Sequence, residues 1–151
     1  MLRFPRQLQR YDSAAECCDR LAERLETHLR QWLLMPLALR RPLGLATGRT
    51  MEPLYAALVQ RLMLWSAQDL VELRRRWASF NLDEYLGLPA GDPCRYSTYM
   101  RRHLGEPLQL RPETLHLPDG SAAVADGAAH SYAAELNGCG GVGVQLLGLG
   151  N

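Results

Sequence analysis

Short apolar runs alternate with helical patterns along this chain of 151 residues, and this alternation constrains the fold more than any other feature of the sequence. Apolar residues at helical spacing predict amphipathic helices, whereas short apolar runs between turn signals predict buried strands. The predicted strands are Leu43–Ala46, Trp77–Phe80, Leu115–Leu117 and Val142–Leu147. The predicted helices open at Ser13, Thr50, Ser66, Asp92 and Ala122. Strands that alternate with helices predict a parallel sheet with right-handed crossovers.

Capping residues predict where several of these helices begin. Ser13 opens a capping-box pattern, so the first helix is expected to start directly after it. Thr50 is expected to cap the next helix, with Pro53 in its first turn. Asp92 is expected to cap a later helix, with Pro93 at the first helical position.

Composition predicts a single globular domain over residues 1–151, because 47% of the residues are hydrophobic and 22% are charged. A net charge of +1 and a pI near 7.7 argue against nucleic acid and against an anionic membrane as partners. The run Arg74–Arg76 is therefore interpreted as a solvated helix end. The sequence has no apolar signal core and no apolar stretch long enough to span a membrane.

The four cysteines show no C-x-x-C spacing and no paired histidines, which argues against a zinc site and against a disulfide framework. Reduced thiols and a cytoplasmic location are expected. Gly138, Gly140 and Gly143 match the G-x-G-x-x-G spacing, but they precede a predicted strand. A dinucleotide site needs these glycines after a strand and at the start of a helix, so no nicotinamide or flavin cofactor is expected.

Two adjacent carboxylates, Asp83 and Glu84, end the apolar run that begins at Phe80. Ligands of open α/β sheets bind at the carboxyl ends of the strands, which is where these two residues should lie. Successive strand side chains point to opposite faces, so one carboxylate is expected to do the chemistry and the other to orient it. The alternative reading is that Asp83 caps a turn and Glu84 is solvated.

A second site is predicted where the strand Leu43–Ala46 runs through Thr47–Thr50 into a helix. A strand, a glycine-containing turn and a helix in this order direct free backbone N–H groups and the positive helix end at one point. The sequence therefore predicts a phosphate-binding loop, although glycine turns join strands to helices in many proteins.

Four stretches together resemble a known family in order and spacing: Leu43–Thr50, Phe80–Pro89, Arg111–Gly120 and Gln145–Asn151. The chain resembles the N-terminal portion of the glucosamine-6-phosphate deaminase/isomerase family, whose superfamily includes 6-phosphogluconolactonase. Asp83-Glu84-Tyr85 is the most specific part of this resemblance.

The resemblance implies an α/β fold, a Rossmann-like α/β/α sandwich with a mostly parallel sheet. It implies conversion of glucosamine 6-phosphate to fructose 6-phosphate and ammonia, with Asp83 as the base of enolisation and Glu84 beside it. It implies no metal or organic cofactor, a sugar phosphate as substrate, and is compatible with a homo-oligomer. The phosphate would be bound by Thr47, Gly48, Arg49 and Thr50.

The chain stops at Asn151, before the family's Asp-Gly-His and Asn-Glu-Pro segments and its later basic residues, so a truncated domain with little or no activity is expected. Arg49 and Met51 also depart from the small residue and the proline usual in the family's loop. Two alternatives stay open. One is a 6-phosphogluconolactonase-like hydrolase, in which Arg is usual at the position of Tyr85, and the other is a non-catalytic sugar-phosphate-binding remnant.

Overall fold

A computed structural model describes residues 7–121 and 125–148 of the chain. Its helices are α1 (Ala14–Leu34), α2 (Glu52–Leu62), α3 (Ala67–Arg76), α4 (Tyr96–Met100), α5 (Glu106–Leu108) and α6 (Ala125–Gly138). A π-helical turn, Arg101–Gly105, joins α4 to α5, and short 3-10 turns lie at Leu37–Leu39, Arg49–Met51 and Pro112–Thr114. The strands are β1 (Leu43–Leu45), β2 (Ser79–Asn81), β3 (Leu115–His116) and β4 (Val144–Gln145).

The four strands form one parallel sheet in the order β3-β2-β1-β4. Leu43 pairs with both Ser79 and Val144, so β1 lies between β2 and β4. All strands run the same way, and their carboxyl ends therefore meet at one edge. The predicted parallel α/β sheet is confirmed, with the strands ending near Ala46, Leu82 and Leu147 side by side.

One face of the sheet carries the main hydrophobic core. Leu43 and Leu45 alternate with Gly44 along β1 and turn toward α1 and α2, which pack along each other. The core is completed by buried side chains of these and the following helices: Ala22, Leu25, Leu29, Leu54, Tyr55, Leu58, Leu62, Leu73, Met100, Leu104 and Leu108. The i, i+4 spacing of these apolar residues is the reason that the segments form helices on this face.

The opposite face of the sheet is covered by α6, which holds no buried residue. Phe80 of β2 stacks on His116 of β3, with ring centroids 4.3 Å apart. The Tyr132 hydroxyl of α6 donates to the carbonyl oxygens of Asn81 and His116, at 2.7 and 3.0 Å. Glu135 of α6 contacts His116 Nδ1 at 2.6 Å. Polar contacts thus hold α6 on the sheet. The helix α6 forms the second outer layer of an α/β/α sandwich.

Several predicted boundaries differ from the structure. Thr50 does not cap α2, because the helical turn already starts at Arg49, directly after Gly48 at φ 111°. Asp92 does not cap α4 either: it accepts from the N–H of Cys94 in a local turn, and α4 starts at Tyr96. The strand predicted at Trp77–Phe80 begins two residues later, at Ser79, and ends one residue later, at Asn81. The predicted start of the last helix at Ala122, and Leu149–Asn151 of the final stretch, lie outside the described residues.

Within residues 7–121 and 125–148, no helix has the length and hydropathy needed to cross a membrane. Over the same ranges, no cluster of histidine, cysteine, aspartate and glutamate has the geometry of a metal site. All four cysteines are free thiols.

The contacts of α6 generate a first prediction. Tyr132→Phe removes the hydroxyl that joins α6 to two strands but keeps the ring against Phe80. We expect faster hydrogen exchange at α6 amides, with unchanged exchange in α1 and α2, because α6 has little other burial. Tyr11→Phe is the matched control, since within the described part of the chain its hydroxyl contacts Gln9 and no other residue. Equal protection of α6 in Tyr132→Phe and in the parent would show that this hydroxyl does not hold the helix.

Candidate functional site

A cleft of about 510 Å³ opens at the edge of the sheet where the parallel strands end. The loop after β1 lines it with Thr47–Thr50, the loop after β2 with Leu82 and Asp83, and the segment after β4 with Leu147 and Gly148. Tyr96, the first residue of α4, closes one side. Three loops that are distant in sequence meet here because β2, β1 and β4 are neighbours in the sheet.

The Thr47–Thr50 loop lines this cleft, and its backbone N–H groups have no partner among the described residues. Thr47 is half-buried, and Gly48, Arg49 and Thr50 are exposed. Among the described residues, none of these four N–H groups donates to a backbone carbonyl or a side chain. Gly48 adopts a φ of 111°, which favours glycine and lets the chain turn from β1 into the helical turn before α2. Unpaired N–H groups at such a junction can receive an anion.

Two tyrosines below the loop fix the orientation of its peptide groups. The Tyr55 hydroxyl donates to the carbonyl of Ala46, and the Tyr99 hydroxyl donates to the carbonyl of Gly48 at 2.8 Å. In a trans peptide the C=O and the following N–H point in opposite directions. The N–H groups of Thr47 and Arg49 therefore point away from the tyrosines. Burial raises the pKa of both tyrosines, so both hydroxyls stay protonated and donate at neutral pH.

Asp83 lies two residues beyond the end of β2 and lines the same cleft as the loop. Its side chain is exposed and has no hydrogen-bond partner among the described residues. Asp83 also lines a neighbouring cavity of about 470 Å³ between the sheet and α6, whose walls are mostly apolar. The carboxylate is thus free to contact a molecule bound in the cleft.

Glu84 points the other way, into the protein, and its side chain is 1% exposed. One carboxylate oxygen accepts from the N–H groups of Tyr85 and Tyr96, at 2.9 and 2.8 Å. The other accepts from the N–H of Ser97 at 2.9 Å and lies 3.6 Å from Arg95 Nε. Tyr96 and Ser97 open α4, so Glu84 caps this helix from twelve residues upstream.

The electrostatics of Glu84 follow from these contacts. Burial by itself would raise the pKa of this carboxyl, but the hydrogen bonds from Ser97, Tyr96 and Tyr85 outweigh burial and hold the pKa below its ordinary value. Glu84 is therefore a charged, fully occupied acceptor at neutral pH. It connects the loop that carries Asp83 to the start of α4.

Sequence reasoning missed the three tyrosines of this site. Tyr96 lines the cleft, and the hydrogen bond of its hydroxyl with that of Tyr85, 3.3 Å away, is the main cause of its raised pKa. Tyr55 and Tyr99 contact loop carbonyls 9 and 51 positions away in the sequence. Helical periodicity gives no indication of which carbonyl each hydroxyl would reach.

The chain is similar in sequence to known glucosamine-6-phosphate deaminases. The chain is 42% identical over 108 residues to a glucosamine-6-phosphate deaminase of Streptomyces coelicolor, covering 72% of this chain and 40% of that protein. It is 38% identical over 109 residues to the deaminase of Shouchella clausii, covering 72% of this chain and 42% of that protein. No protein-family model matches the chain.

A solved structure is similar over most of the fold. A monomeric glucosamine-6-phosphate deaminase, described as the missing link of the NagB superfamily, matches with a TM-score of 0.77 and 28% identity. The match covers 93% of this chain and 54% of that one. The chain thus spans about 40% of the length of the curated relatives above, and the resemblance predicted from the sequence is confirmed.

The buried carboxylate generates a second prediction. Glu84→Gln keeps the side-chain volume but removes the charge that three N–H groups contact, so we expect the free energy of unfolding at neutral pH to fall by about 2 kcal/mol. Urea denaturation measures it. Asp83→Asn is the control in the neighbouring exposed carboxylate, and we expect a change of less than about 0.5 kcal/mol.

The stability difference between the parent and Glu84→Gln should depend on pH in a definite direction. The folded pKa of Glu84 lies below the unfolded value of about 4.3, so the charge stabilises the fold fully above that value. This contribution is lost as the pH falls through the lower folded pKa. The stability difference between parent and Glu84→Gln should therefore shrink in acid. A difference that stays constant from neutral to acid pH would contradict the assigned role of the charge.

Proposed function

We propose that this chain, which resembles the N-terminal portion of the glucosamine-6-phosphate deaminases, binds an amino-sugar phosphate at the carboxyl edge of its sheet and performs the enolisation step of that reaction. One observation carries the proposal: the free N–H groups of Thr47–Thr50 and the Asp83 carboxylate line the same cleft. A phosphate on the loop and a sugar carbon near the carboxylate would occupy that cleft together. Because the chain spans less than half of its curated relatives, the activity of a longer protein is part of the proposal.

The phosphate would bind to the N–H groups of the loop and to the Thr50 hydroxyl. Oriented backbone amides before a helix stabilise a phosphate without a dedicated lysine. Arg49 is exposed on the rim of the cleft and would add a charged contact. This assigns Thr47, Gly48, Arg49 and Thr50 to phosphate binding.

The chemical step would be a proton shuttle by Asp83 on the open-chain sugar. Asp83 takes the proton from C2, the electron pair of that bond forms the C1–C2 double bond, and O1 takes a proton from solvent water. Asp83 then returns its proton to C1, which leaves a C2–nitrogen double bond. Water adds to C2, ammonia leaves, and a ketose phosphate remains. General-base catalysis of this type needs a carboxylate within hydrogen-bond reach of the proton.

Glu84 would act through Asp83, because its buried carboxylate faces away from the cleft and cannot contact the substrate directly. By capping α4 it would position both Asp83 and Tyr96 on the cleft walls. The proposed reaction needs no metal and no organic cofactor. A cytoplasmic location is proposed with it, in keeping with the free thiols.

A third prediction tests the base. In an open-chain analogue of glucosamine 6-phosphate, deuterium exchange at C2 isolates the proton transfer from ring opening. We expect Asp83→Asn to slow this exchange by about a hundredfold to ten-thousandfold, the range of general-base loss. Asp92→Asn changes a half-buried aspartate that does not line the cleft, and it should exchange like the parent. Glu84→Gln should cost less than Asp83→Asn.

The same exchange measurement can also contradict the assignment of Asp83 as the base. If Asp83→Asn exchanges the deuterium as fast as the parent, Asp83 is not the base and returns to the role of a turn residue. Bound phosphate without any exchange in the parent would favour a sugar-phosphate-binding function over catalysis by this chain.

A fourth prediction concerns the tyrosine below the loop. Tyr99→Phe keeps the ring against Tyr55 and His103 but removes the hydroxyl that holds the Gly48 carbonyl. Inorganic phosphate, titrated while amide resonances are followed, should shift Thr47–Thr50 in the parent and bind several-fold more weakly to Tyr99→Phe. Tyr132→Phe, which also loses a hydroxyl that donates to backbone carbonyls, should bind phosphate like the parent.

Two outcomes separate the parts of this prediction. Unmoved loop amides in the parent would contradict the phosphate site itself. Equal affinity in Tyr99→Phe and the parent would leave the site intact and contradict only the role of the Tyr99 hydroxyl.

A further inference from the structure

A second cleft, of about 670 Å³, lies at the opposite edge of the sheet, where the strands begin. The segment between α1 and β1 lines it with Arg40 and Arg41, and the end of α3 lines it with Arg75 and Arg76. The last turn of α6 and the residues after it, 137–140, form the third wall. The arginine run that the sequence indicated as a solvated helix end thus meets a second arginine pair. We name these four arginines the arginine cluster.

Hydrogen bonds show that the guanidinium groups of the cluster converge. Arg40 and Arg76 both donate to the carbonyl oxygen of Leu33, at 3.0 and 3.4 Å. Arg75 and Arg76 both contact the same Glu72 carboxylate oxygen, at 2.9 and 2.6 Å. Three like charges are therefore linked through two shared acceptors. Arg74 of the same run points elsewhere, because its Nε donates to the carbonyl of Leu108.

Arg41 completes the cluster from the other side. Its guanidinium donates to the carbonyls of Ala38 and Arg40 and lies against the main chain of Gly140. A Cβ at Gly140 would lie 2.6 Å from the Arg41 guanidinium carbon. The backbone at position 140 therefore packs directly against the guanidinium of Arg41.

The positive charge of the cluster is not balanced by the described residues. No acidic residue lines the cleft, and Glu72 is the carboxylate that pairs with Arg75 and Arg76. Four guanidinium groups against one carboxylate leave three positive charges. The carboxyl ends of α1, α3 and α6 lie at this edge and contribute about −0.5 each, which still leaves positive charge in excess.

Two further observations indicate strain within the cluster. Burial and the neighbouring charges of Arg76 and Arg75 lower the pKa of Arg40. The Nε of Arg76 is buried and has no hydrogen-bond partner among the described residues. The net charge of the chain is only +1, yet four mutually repelling arginines lie around a single cleft. One of them, Arg76, has a buried N–H donor that is not used by any described residue.

We propose that this cleft is a binding site for a small anion that carries phosphoryl groups. Guanidinium forks match phosphate oxygens in geometry, and a phosphoryl group of about −1.5 to −2 charge balances the excess of roughly +1.5 that remains after the helix ends are counted. Trp32, Leu37 and Pro42 supply an apolar wall for an organic part of the ligand. The site lies at the edge of the sheet opposite Asp83, so the proposal is independent of the proposed function.

A fifth prediction tests this site with pyrophosphate as the probe. We expect a saturable titration that shifts the amides of Cys139 and Gly140 and the Nε–H resonances of the cluster. A double variant, Arg41→Gln with Arg75→Gln, should weaken pyrophosphate binding by about tenfold or more, because it removes two charged forks. Arg24→Gln removes one positive charge from the exposed side of α1, outside the cleft. It should leave the pyrophosphate affinity unchanged.

The single variant Arg75→Gln distinguishes a loss of binding from a loss of folding. Arg75 is 62% exposed at its side chain, and among the described residues it contacts Glu72 through its side chain and Arg111 through its backbone. Arg75→Gln should therefore fold and still bind more weakly than the parent. Amides at Thr47–Thr50 report phosphate at the other edge in the same spectra. Absence of shifts at Cys139 and Gly140, or equal affinity in Arg75→Gln, Arg24→Gln and the parent, would overturn the proposal.

Discussion

The buried Glu84 carboxylate is the contact on which the site at the carboxyl edge depends. Three N–H groups from two segments converge on it, so the loop after β2 and the start of α4 are held as one unit. A buried charge without such partners would cost several kcal/mol, so these contacts must form together or not at all. Asp83, next to Glu84 in the chain, is thereby kept on the surface while its neighbour is locked inside.

Parallel strand order decides what can meet at each edge of the sheet. Because β2, β1 and β4 run the same way and lie side by side, the loops after them share one cleft, and the segments before them share another. The turn before α2 and the first residue of α4 line the first cleft, and the carboxyl ends of α1, α3 and α6 lie at the second. Free N–H groups accordingly collect at one edge and arginines at the other.

The two faces of the sheet differ in how they are held. The α1 and α2 face is a packed core of leucines, whereas α6 is attached by Tyr132 and by the contact of Glu135 with His116. Apolar packing is not directional, but a hydroxyl that bridges two strand carbonyls sets the position of the helix. The cavity between α6 and the sheet, which Asp83 also lines, exists because few side chains of α6 reach the sheet.

The sequence by itself determined the parallel α/β class, the place of Asp83 just beyond a strand and the loop Thr47–Thr50, because apolar periodicity and glycine turns are local signals. It also carried the family resemblance. The cap at Thr50 was wrong because the helical turn already starts at Arg49, and the cap at Asp92 was wrong because Glu84, twelve residues before Tyr96, caps α4. Only the tertiary structure decided which tyrosines hold the loop and that Arg40 and Arg41 meet Arg75 and Arg76. Those contacts join residues far apart in the chain, and local patterns carry no information about them.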